Sequence, residues 1–258
     1  MKKLLLLTIL PFVSIITFAQ KDTTLKFPLK YWSLEAGGFA NIPLREYNEK
    51  YGYDCFDCQS GEFNVNPQFT IGNYLIRINH RGLLKQVKQN YLGTSNGFGY
   101  AHQQLKNKKV GNYHGGEFPV NFKGTISNQL NVDLLFLENA INYNIFLNKR
   151  TVLVNQIGLL SIVSFYETYR SVEEGNITNT MDESYFGLGT LTIAVNYEIG
   201  TMFQISKKFI INPKFNLPLY SIHRGFSNGL NEINPYTIFT DKNFTKAQFF
   251  INLVYRLN

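Results

Sequence analysis

The fold of this chain is decided by the stretch Leu191-Thr192-Ile193-Ala194-Val195-Asn196-Tyr197-Glu198-Ile199. Its odd positions are all large and apolar, and its even positions are small or polar. Because side chains alternate between the two faces of a strand, this pattern predicts a strand with one apolar face. The last strand repeats the pattern, with Phe249, Ile251, Leu253, Tyr255 and Leu257 on one side and Gln248, Asn252 and Arg256 on the other. Such alternation is typical of a transmembrane β-barrel.

The N-terminus predicts export from the cytoplasm. Lys2 and Lys3 precede an apolar run from Leu4 to Ile16. Thr17-Phe18-Ala19 then supplies the small residues that a signal peptidase requires. A signal anchor is the alternative, but the small residues favour cleavage. We therefore expect the mature chain to begin at Gln20.

The mature chain contains no apolar run of about 18 residues, which excludes a transmembrane helix and leaves strands to do any spanning. The charged fraction is 17%, below the roughly 25% usual in soluble domains, and 44% of the residues are hydrophobic. This composition favours a surface that faces lipid. We expect a signal peptide over residues 1–19, a periplasmic lead-in over residues 20–29 and an outer-membrane barrel domain over residues 30–258.

The charge of the chain indicates its class of partner. The formal net charge is +7, and it falls to +5 when Lys2 and Lys3 leave with the signal peptide. Nucleic acid does not explain this excess, because Lys106, Lys108 and Lys109 form only a small cluster and the chain is exported. Outer-membrane lipid and lipopolysaccharide are the expected partners, together with an extracellular or envelope protein. We expect a monomer without a cofactor.

Two short connections organise the second half of the chain. They are Leu147-Asn148-Lys149-Arg150 and Ser206-Lys207-Lys208, and each separates two strands. Long polar stretches follow, at Tyr169–Ser184 and Arg224–Thr245. In outer-membrane barrels the short turns lie on the periplasmic side and the long loops outside, so this rhythm predicts an orientation.

Eight strands fit this rhythm, and an even number returns both termini to the same side of the membrane. The predicted strands are Tyr31–Ala40, Gln68–Ile78, a weaker strand between Lys88 and Gln104, Val132–Phe146, Thr151–Tyr166, Tyr185–Ile205, Phe209–Ser221 and a final strand that contains Phe249–Leu257. The predicted fold is all-β: an antiparallel, eight-stranded, up-and-down transmembrane β-barrel with long extracellular loops.

A soluble periplasmic barrel that binds a small apolar ligand is an alternative, because it shows the same alternation with its apolar face inward. The polar face favours the membrane barrel, since it has few of the Lys and Glu residues that cover a water-exposed sheet. We assign to the lumen Asn142, Asn144, Gln156, Thr192, Asn196, Asn212 and Asn216. Pro213 and Pro218 lie within one predicted strand and require a bulge or a strand end, because proline lacks the N–H donor.

Charged residues on the polar face predict ion pairs inside the barrel. The turn at Ser206 places Glu198 roughly opposite Lys214. Closure of the barrel brings the first strand, which carries Glu35, beside the last strand, which carries Arg256. Buried charges of opposite sign are expected to pair, since an isolated buried charge is costly.

Glu138 has no adjacent cation on a neighbouring strand, and we expect it to reach across to Arg77. Eight strands leave a lumen only just wide enough for side chains, so opposed charges form a plug. We therefore predict no open pore. The predicted lumen network comprises Glu35, Arg77, Glu138, Glu198, Lys214 and Arg256.

These features together resemble a known class. With its signal peptide, eight strands and terminal Val254-Tyr255-Arg256-Leu257-Asn258, the mature chain resembles the small eight-stranded outer-membrane β-barrel proteins of Gram-negative bacteria. The resemblance implies location in the outer membrane and a structural or surface-interaction role rather than catalysis. Such barrels usually finish on an aromatic residue that the assembly machinery reads, whereas this chain has Leu257 followed by Asn258.

The motif Asp54-Cys55-Phe56-Asp57-Cys58 lies in the first predicted outer loop, between Asn41 and Asn64. Outside the cytoplasm, two cysteines at this spacing predict a local disulfide between Cys55 and Cys58. A redox dithiol needs a preceding strand and a helix N-terminus, and zinc needs two further ligands at metal spacing. Neither pattern is evident, so we predict no metal site.

An enzyme is the alternative function. The segment His223-Arg224-Gly225-Phe226-Ser227-Asn228-Gly229, followed by Glu232, is similar to the penultimate-strand region of outer-membrane lipid A deacylases. The resemblance implies His223 as base, Ser227 as nucleophile and Glu232 as the group that orients the base. In that family the histidine stands two residues before the serine, where this chain has Gly225. On a regular strand His223 and Ser227 stand about 13 Å apart, too far for proton transfer unless a turn brings them together.

Overall fold

The computed structural model describes residues 27–44, 46–52, 60–87, 90–115, 120–175, 179–225 and 246–257. No helix in this part of the chain is long and apolar enough to cross a membrane. The described residues form β1 (Tyr31–Pro43), β2 (Tyr47–Gly52), β3 (Ser60–Pro67), β4 (Thr70–Val87), β5 (Asn90–Gly115), β6 (Val120–Phe146), β7 (Thr151–Gly175), β8 (Asn179–Phe186), β9 (Thr190–Gln204), β10 (Phe209–Gly225) and β11 (Lys246–Arg256).

Eight of these strands close into a barrel. Each pairs antiparallel with the next in the order β1-β4-β5-β6-β7-β9-β10-β11, and β11 pairs with β1 to complete the ring. Short turns join β6 to β7 and β9 to β10, where Leu147 N–H donates to Thr151 O and Ile205 N–H donates to Phe209 O. The predicted eight-stranded antiparallel barrel is therefore confirmed.

The barrel is apolar outside and polar at the middle of its lumen. Ile193 and Ile251 are 44% and 54% exposed, whereas Asn196 and Asn252 are 2% and 0% exposed. The amide and hydroxyl residues that the sequence assigned to the lumen are all buried. A soluble barrel with an apolar ligand cavity has the opposite arrangement, so that alternative is wrong. The apolar outer surface is that of a transmembrane β-barrel.

Both prolines of β10 lie where its ladder with β9 is interrupted. The register shifts between Pro218 and Tyr220, which marks a bulge. The paired residues of the same ladder pass directly from Ile211 to Lys214, so Pro213 has a partner only on β11. Since proline cannot donate to a ladder, these interruptions allow β10 to remain in the ring.

Three strands are much longer than a membrane crossing requires. β5, β6 and β7 contain 26, 27 and 25 residues, whereas a tilted crossing takes about 9–11. Beyond the barrel they continue, with β2, β3 and β8, as a six-stranded sheet in the order β2-β3-β5-β6-β7-β8, which we call the outer sheet. The predicted loop Tyr169–Ser184 is wrong, because this stretch forms the end of β7 and most of β8.

Residues before β1 close the short-turn end of the lumen. Phe27 N–H donates to Lys149 O at 3.1 Å, and the Phe27 ring packs edge-on against Phe146. Phe27 thereby joins a lower apolar cluster that also contains Tyr31, Val152, Val154, Met202, Ile210 and Val254. Towards the other end lies an upper apolar cluster of Phe39, Leu75, Ala101, Leu105, Val132, Leu134, Phe136, Leu160, Ile162, Ala194 and Phe250.

Candidate functional site

A chain of charged side chains crosses the lumen between the two apolar clusters. It begins where Glu35 on β1 is paired in register with Arg77 on β4. Arg77 Nε and Nη2 lie 2.8 and 2.7 Å from Glu35 Oε2, and both side chains are buried. Charge-assisted bonds of this kind are stronger than bonds between neutral groups. The pair therefore ties β1 to β4 inside the barrel.

The network continues around the ring to β10. Arg77 Nη1 also contacts Glu138 Oε2 on β6, and Gln156 Nε2 on β7 donates to Glu138 Oε1. The same Gln156 nitrogen lies 3.2 Å from Glu198 Oε2 on β9. Lys214 Nζ on β10 donates to that oxygen at 2.7 Å. The structure thus brings together five of the six residues of the sequence-predicted network.

A glycine on β5 leaves room for this crossing. Gly99 is paired with both Arg77 and Phe136 on the strands at either side. A Cβ at Gly99 would stand 2.6 Å from Arg77 Cβ and 2.9 Å from Phe136 Cζ. Because these distances are shorter than van der Waals contact, only glycine fits here without displacing the arginine.

Polar neighbours that the sequence reasoning missed complete the hydrogen bonds of Glu35. Asn79 Nδ2 donates to Glu35 Oε1 at 2.9 Å, and Ser33 Oγ lies 3.4 Å from the same oxygen. Ser95 Oγ donates to Asn79 Oδ1 at 3.1 Å. The sequence does contain a signal for them: Ser33 is two residues from Glu35 and Asn79 is two residues from Arg77, so each lies on the same inward face of its strand.

Arg256 lies away from this network. The closing register places it opposite Ser33 and places Val254 opposite Glu35. Arg256 Nη1 donates to Lys207 O at 2.6 Å, and its guanidinium lies 5.5 Å from the centre of the Tyr31 ring. The expected proximity of Glu35 and Arg256 is therefore replaced by the Glu35–Arg77 pair. Arg256 ties the end of β11 to the β9–β10 turn.

Above the upper apolar cluster, amide side chains form a further layer of the lumen. Asn41 Nδ2 donates to Thr70 Oγ1 at 2.8 Å, and Asn41 Oδ1 accepts from Gln103 Nε2 at 3.0 Å and Gln248 Nε2 at 3.2 Å. Gln248 Oε1 in turn accepts from Asn216 Nδ2 at 2.7 Å. These groups join five strands of the ring with uncharged hydrogen bonds.

The exposed apolar side chains on the outside of the barrel, such as Ile78, Ile193 and Ile251, form a belt that we call the apolar band. A second polar cluster lies on the outer surface, where β4, β5 and β6 leave this band. Asp133 Oδ1 accepts from Tyr100 Oη at 2.7 Å and lies 2.7 Å from His102 Nδ1. The Tyr74 ring stacks on the His102 ring with centroids 5.3 Å apart. Sequence reasoning missed this cluster, because its members come from three strands. Aromatic side chains at this level are typical of a membrane boundary.

The outer sheet begins directly above that cluster with a ladder of amides. Gln104 Nε2 donates to Asn131 Oδ1 at 3.0 Å, and Asn131 Nδ2 donates to Thr168 Oγ1 at 3.0 Å. The next two rows on the same face carry exposed basic side chains. These are Lys106 and Lys108 on β5 and Arg170 on β7, whose Nε lies 3.6 Å from Asp182 Oδ1 on β8.

The residues of the alternative esterase lie largely outside the described residues. The main chain of His223 lies in β10, opposite Thr192 of β9, while Ser227 and Glu232 lie in the segment 226–245. Cys55 and Cys58 also lie outside the described ranges. Within those ranges, no group of three or more His, Cys, Asp and Glu side chains is placed to hold a metal ion.

No protein-family model matches this sequence, and no curated protein matches it. Among solved structures, Ail, the attachment invasion locus protein of Yersinia pestis, is similar with 11% identity and a TM-score of 0.34, over 88% of this chain and 99% of that chain. The outer membrane protease OmpT from Escherichia coli is similar with 10% identity and a TM-score of 0.33, over 91% and 97%. Likenesses with such low identities and TM-scores assign no function to this chain.

Proposed function

We propose that this protein is an outer-membrane barrel without an open pore, and that the outer sheet holds it against the anionic glycolipid of the outer leaflet. Its role is structural or one of surface interaction. The observation that carries this proposal is the order of side chains on the outer face: the apolar band, the Tyr100–His102–Asp133 cluster, the amide ladder and then the basic rows.

The orientation follows from the two ends of the barrel. Short turns of outer-membrane barrels face the periplasm, so the outer sheet belongs outside the cell. One row along a strand takes about 7 Å, which puts Lys106 and Lys108 at the height of the head groups. Phosphate groups of a glycolipid at that height attract ammonium groups at short range. Asp182 offsets Arg170. The Glu46 carboxylate accepts from Asn66, which is paired with Lys108, so the attraction comes from the two lysines with one acidic side chain nearby.

Lipopolysaccharide binding tests this function. We expect purified Lys106→Gln/Lys108→Gln protein to bind lipopolysaccharide several-fold more weakly than the unaltered protein, with a weaker dependence on salt. Lys207→Gln/Lys208→Gln makes the same charge change at the short-turn end and is expected to leave binding unchanged. Equal binding by the two double variants would contradict the proposal.

The filled lumen supports the absence of a pore. Two apolar clusters, the ion network and the amide layer occupy successive levels of an eight-stranded barrel, whose interior side chains are sufficient to fill. In planar lipid bilayers we expect the protein to give no stepwise ion current. Discrete current steps from folded protein would contradict this part of the proposal.

The edges of the outer sheet suit a protein partner. Within the described residues, β2 pairs with β3 alone and β8 pairs with β7 alone. Edge strands offer main-chain donors and acceptors to a strand of another protein. We therefore propose that any extracellular or envelope partner binds at these edges. Cross-linking of the protein to its partner tests this assignment. We expect replacement of an edge residue of β2 or β8 by proline to abolish the cross-linked product, because proline lacks the N–H donor.

A further inference from the structure

One side of the membrane-facing band carries polar side chains. His80 on β4, Asn96 on β5 and Asn139 on β6 lie in one register row, which we call the polar row. The His80 ring lies 4.8 Å from the Trp32 ring, centroid to centroid. Asn96 and Asn139 are exposed, and neither side chain makes a hydrogen bond within the described part of the chain.

The polar row lies inside the apolar band and not at its edge. The adjacent row towards the outer sheet contains Ile78, Phe98 and Leu137, which are 51%, 56% and 47% exposed. Towards the short turns, β6 next presents Ile141 and Tyr143, which are 53% and 39% exposed. The two amide groups therefore lie between rows that face hydrocarbon, and Thr94 on β5 adds one hydroxyl to the row on the short-turn side.

An amide without a hydrogen-bond partner is unfavourable in hydrocarbon, because it loses the bonds that water would supply. The lumen cannot provide partners for Asn96 and Asn139, since both side chains project from the outer face of the sheet. Lipid tails provide none either. A polar group at this depth therefore needs a partner from another protein surface within the membrane.

We propose that a second copy of this chain supplies that partner, in a two-fold symmetric dimer through β5 and β6. An asparagine side chain carries both a donor and an acceptor, so the row is complementary to itself. A two-fold axis parallel to the membrane normal sets Asn96 of each copy against Asn139 of the other. This proposed dimer differs from the monomer expected in the sequence analysis, and the inference rests on the membrane placement proposed above.

Cysteine cross-linking in native outer membranes tests the interface. In a chain with Cys55→Ser and Cys58→Ser, we expect Asn96→Cys to give a covalent dimer of twice the chain mass with a short bismaleimide. Ile251→Cys is the matched control, because Ile251 is 54% exposed in the same band on β11, across the ring. Equal cross-linking at both positions, or a product of another mass at Asn96→Cys, would overturn the proposal.

A second measurement does not depend on cross-linking. We expect Asn96→Leu/Asn139→Leu to raise the dimer dissociation constant in detergent micelles by about tenfold, as analytical ultracentrifugation measures it. Heat-modifiable gel mobility confirms that the variant is folded. An unchanged dissociation constant would overturn the proposal. Monomeric protein in the outer-membrane fraction contradicts only the dimer, whereas absence from that fraction contradicts the proposed function itself.

Discussion

The guanidinium of Arg77 on β4 reaches past β5 and contacts the carboxylate of Glu138 on β6. β5 separates the two strands, so the Arg77 side chain passes over Gly99 on the inner face of the sheet. Arg77 also contacts Glu35 on β1, so one guanidinium pairs with two buried carboxylates. Because a buried carboxylate without a cation is strongly unfavourable, the stability of the barrel depends on this arginine.

Replacing Arg77 by methionine is expected to destabilise the barrel by about 3–5 kcal/mol, because it leaves Glu35 and Glu138 without their cation. Urea titration of protein folded into lipid vesicles measures the free energy of unfolding. Arg170→Met is the matched control, since the Arg170–Asp182 pair is exposed, and we expect it to cost less than about 1 kcal/mol. Similar losses in the two variants would mean that the lumen network does not stabilise the barrel.

Gly99→Ala is expected to destabilise the protein by about 1–3 kcal/mol, because the new methyl group overlaps Arg77 and Phe136. Gly38→Ala on β1 is the control, since a Cβ there meets only Asn73 O at 3.6 Å. The same urea titration compares both variants. If Gly38→Ala cost as much, general strand effects and not the crowding around Arg77 would explain the loss.

Ile251→Lys is expected to cost about 2–4 kcal/mol of stability in lipid vesicles, since it places a charge in the hydrocarbon-facing band. Val110→Lys makes the same kind of change at a side chain that is 52% exposed on the outer sheet. We expect that control to change stability by less than about 0.5 kcal/mol. Equal effects would argue against a membrane around the barrel.

Ser227→Ala is expected to leave the acylation of lipid A unchanged in cells that produce the variant. Its spacing from His223 differs from that of the deacylases, with Gly225 at the position of their histidine. Mass spectrometry of extracted lipid A makes the comparison with cells that produce the unaltered protein. An additional acyl chain on the lipid A of the Ser227→Ala cells would support the esterase function instead.

The strands and turns could be predicted because their signals are local. Ile193, Asn196 and Ile251 reveal their faces by two-residue alternation, which needs no knowledge of neighbouring strands. The Glu198–Lys214 contact was also within reach, since a short turn at Ser206 fixes the register of a hairpin. The outer sheet was less accessible. Polar residues such as Asn128 and Thr180 suggest a loop, yet strand pairing beyond the barrel satisfies their main-chain groups.

By itself, the sequence determined the number of ring strands and their inward and outward faces, because alternation and turn length are properties of neighbouring residues. Only the tertiary structure decided the partner of Glu35 and the place of Arg256. The stagger of eight tilted strands sets Glu35 beside Arg77 and moves Arg256 to the β9–β10 turn. It also aligns Asn96 with Asn139 on the membrane face. Such alignments depend on the pairing registers of all the successive strands around the ring, and the alternation of residues within one strand does not determine those registers.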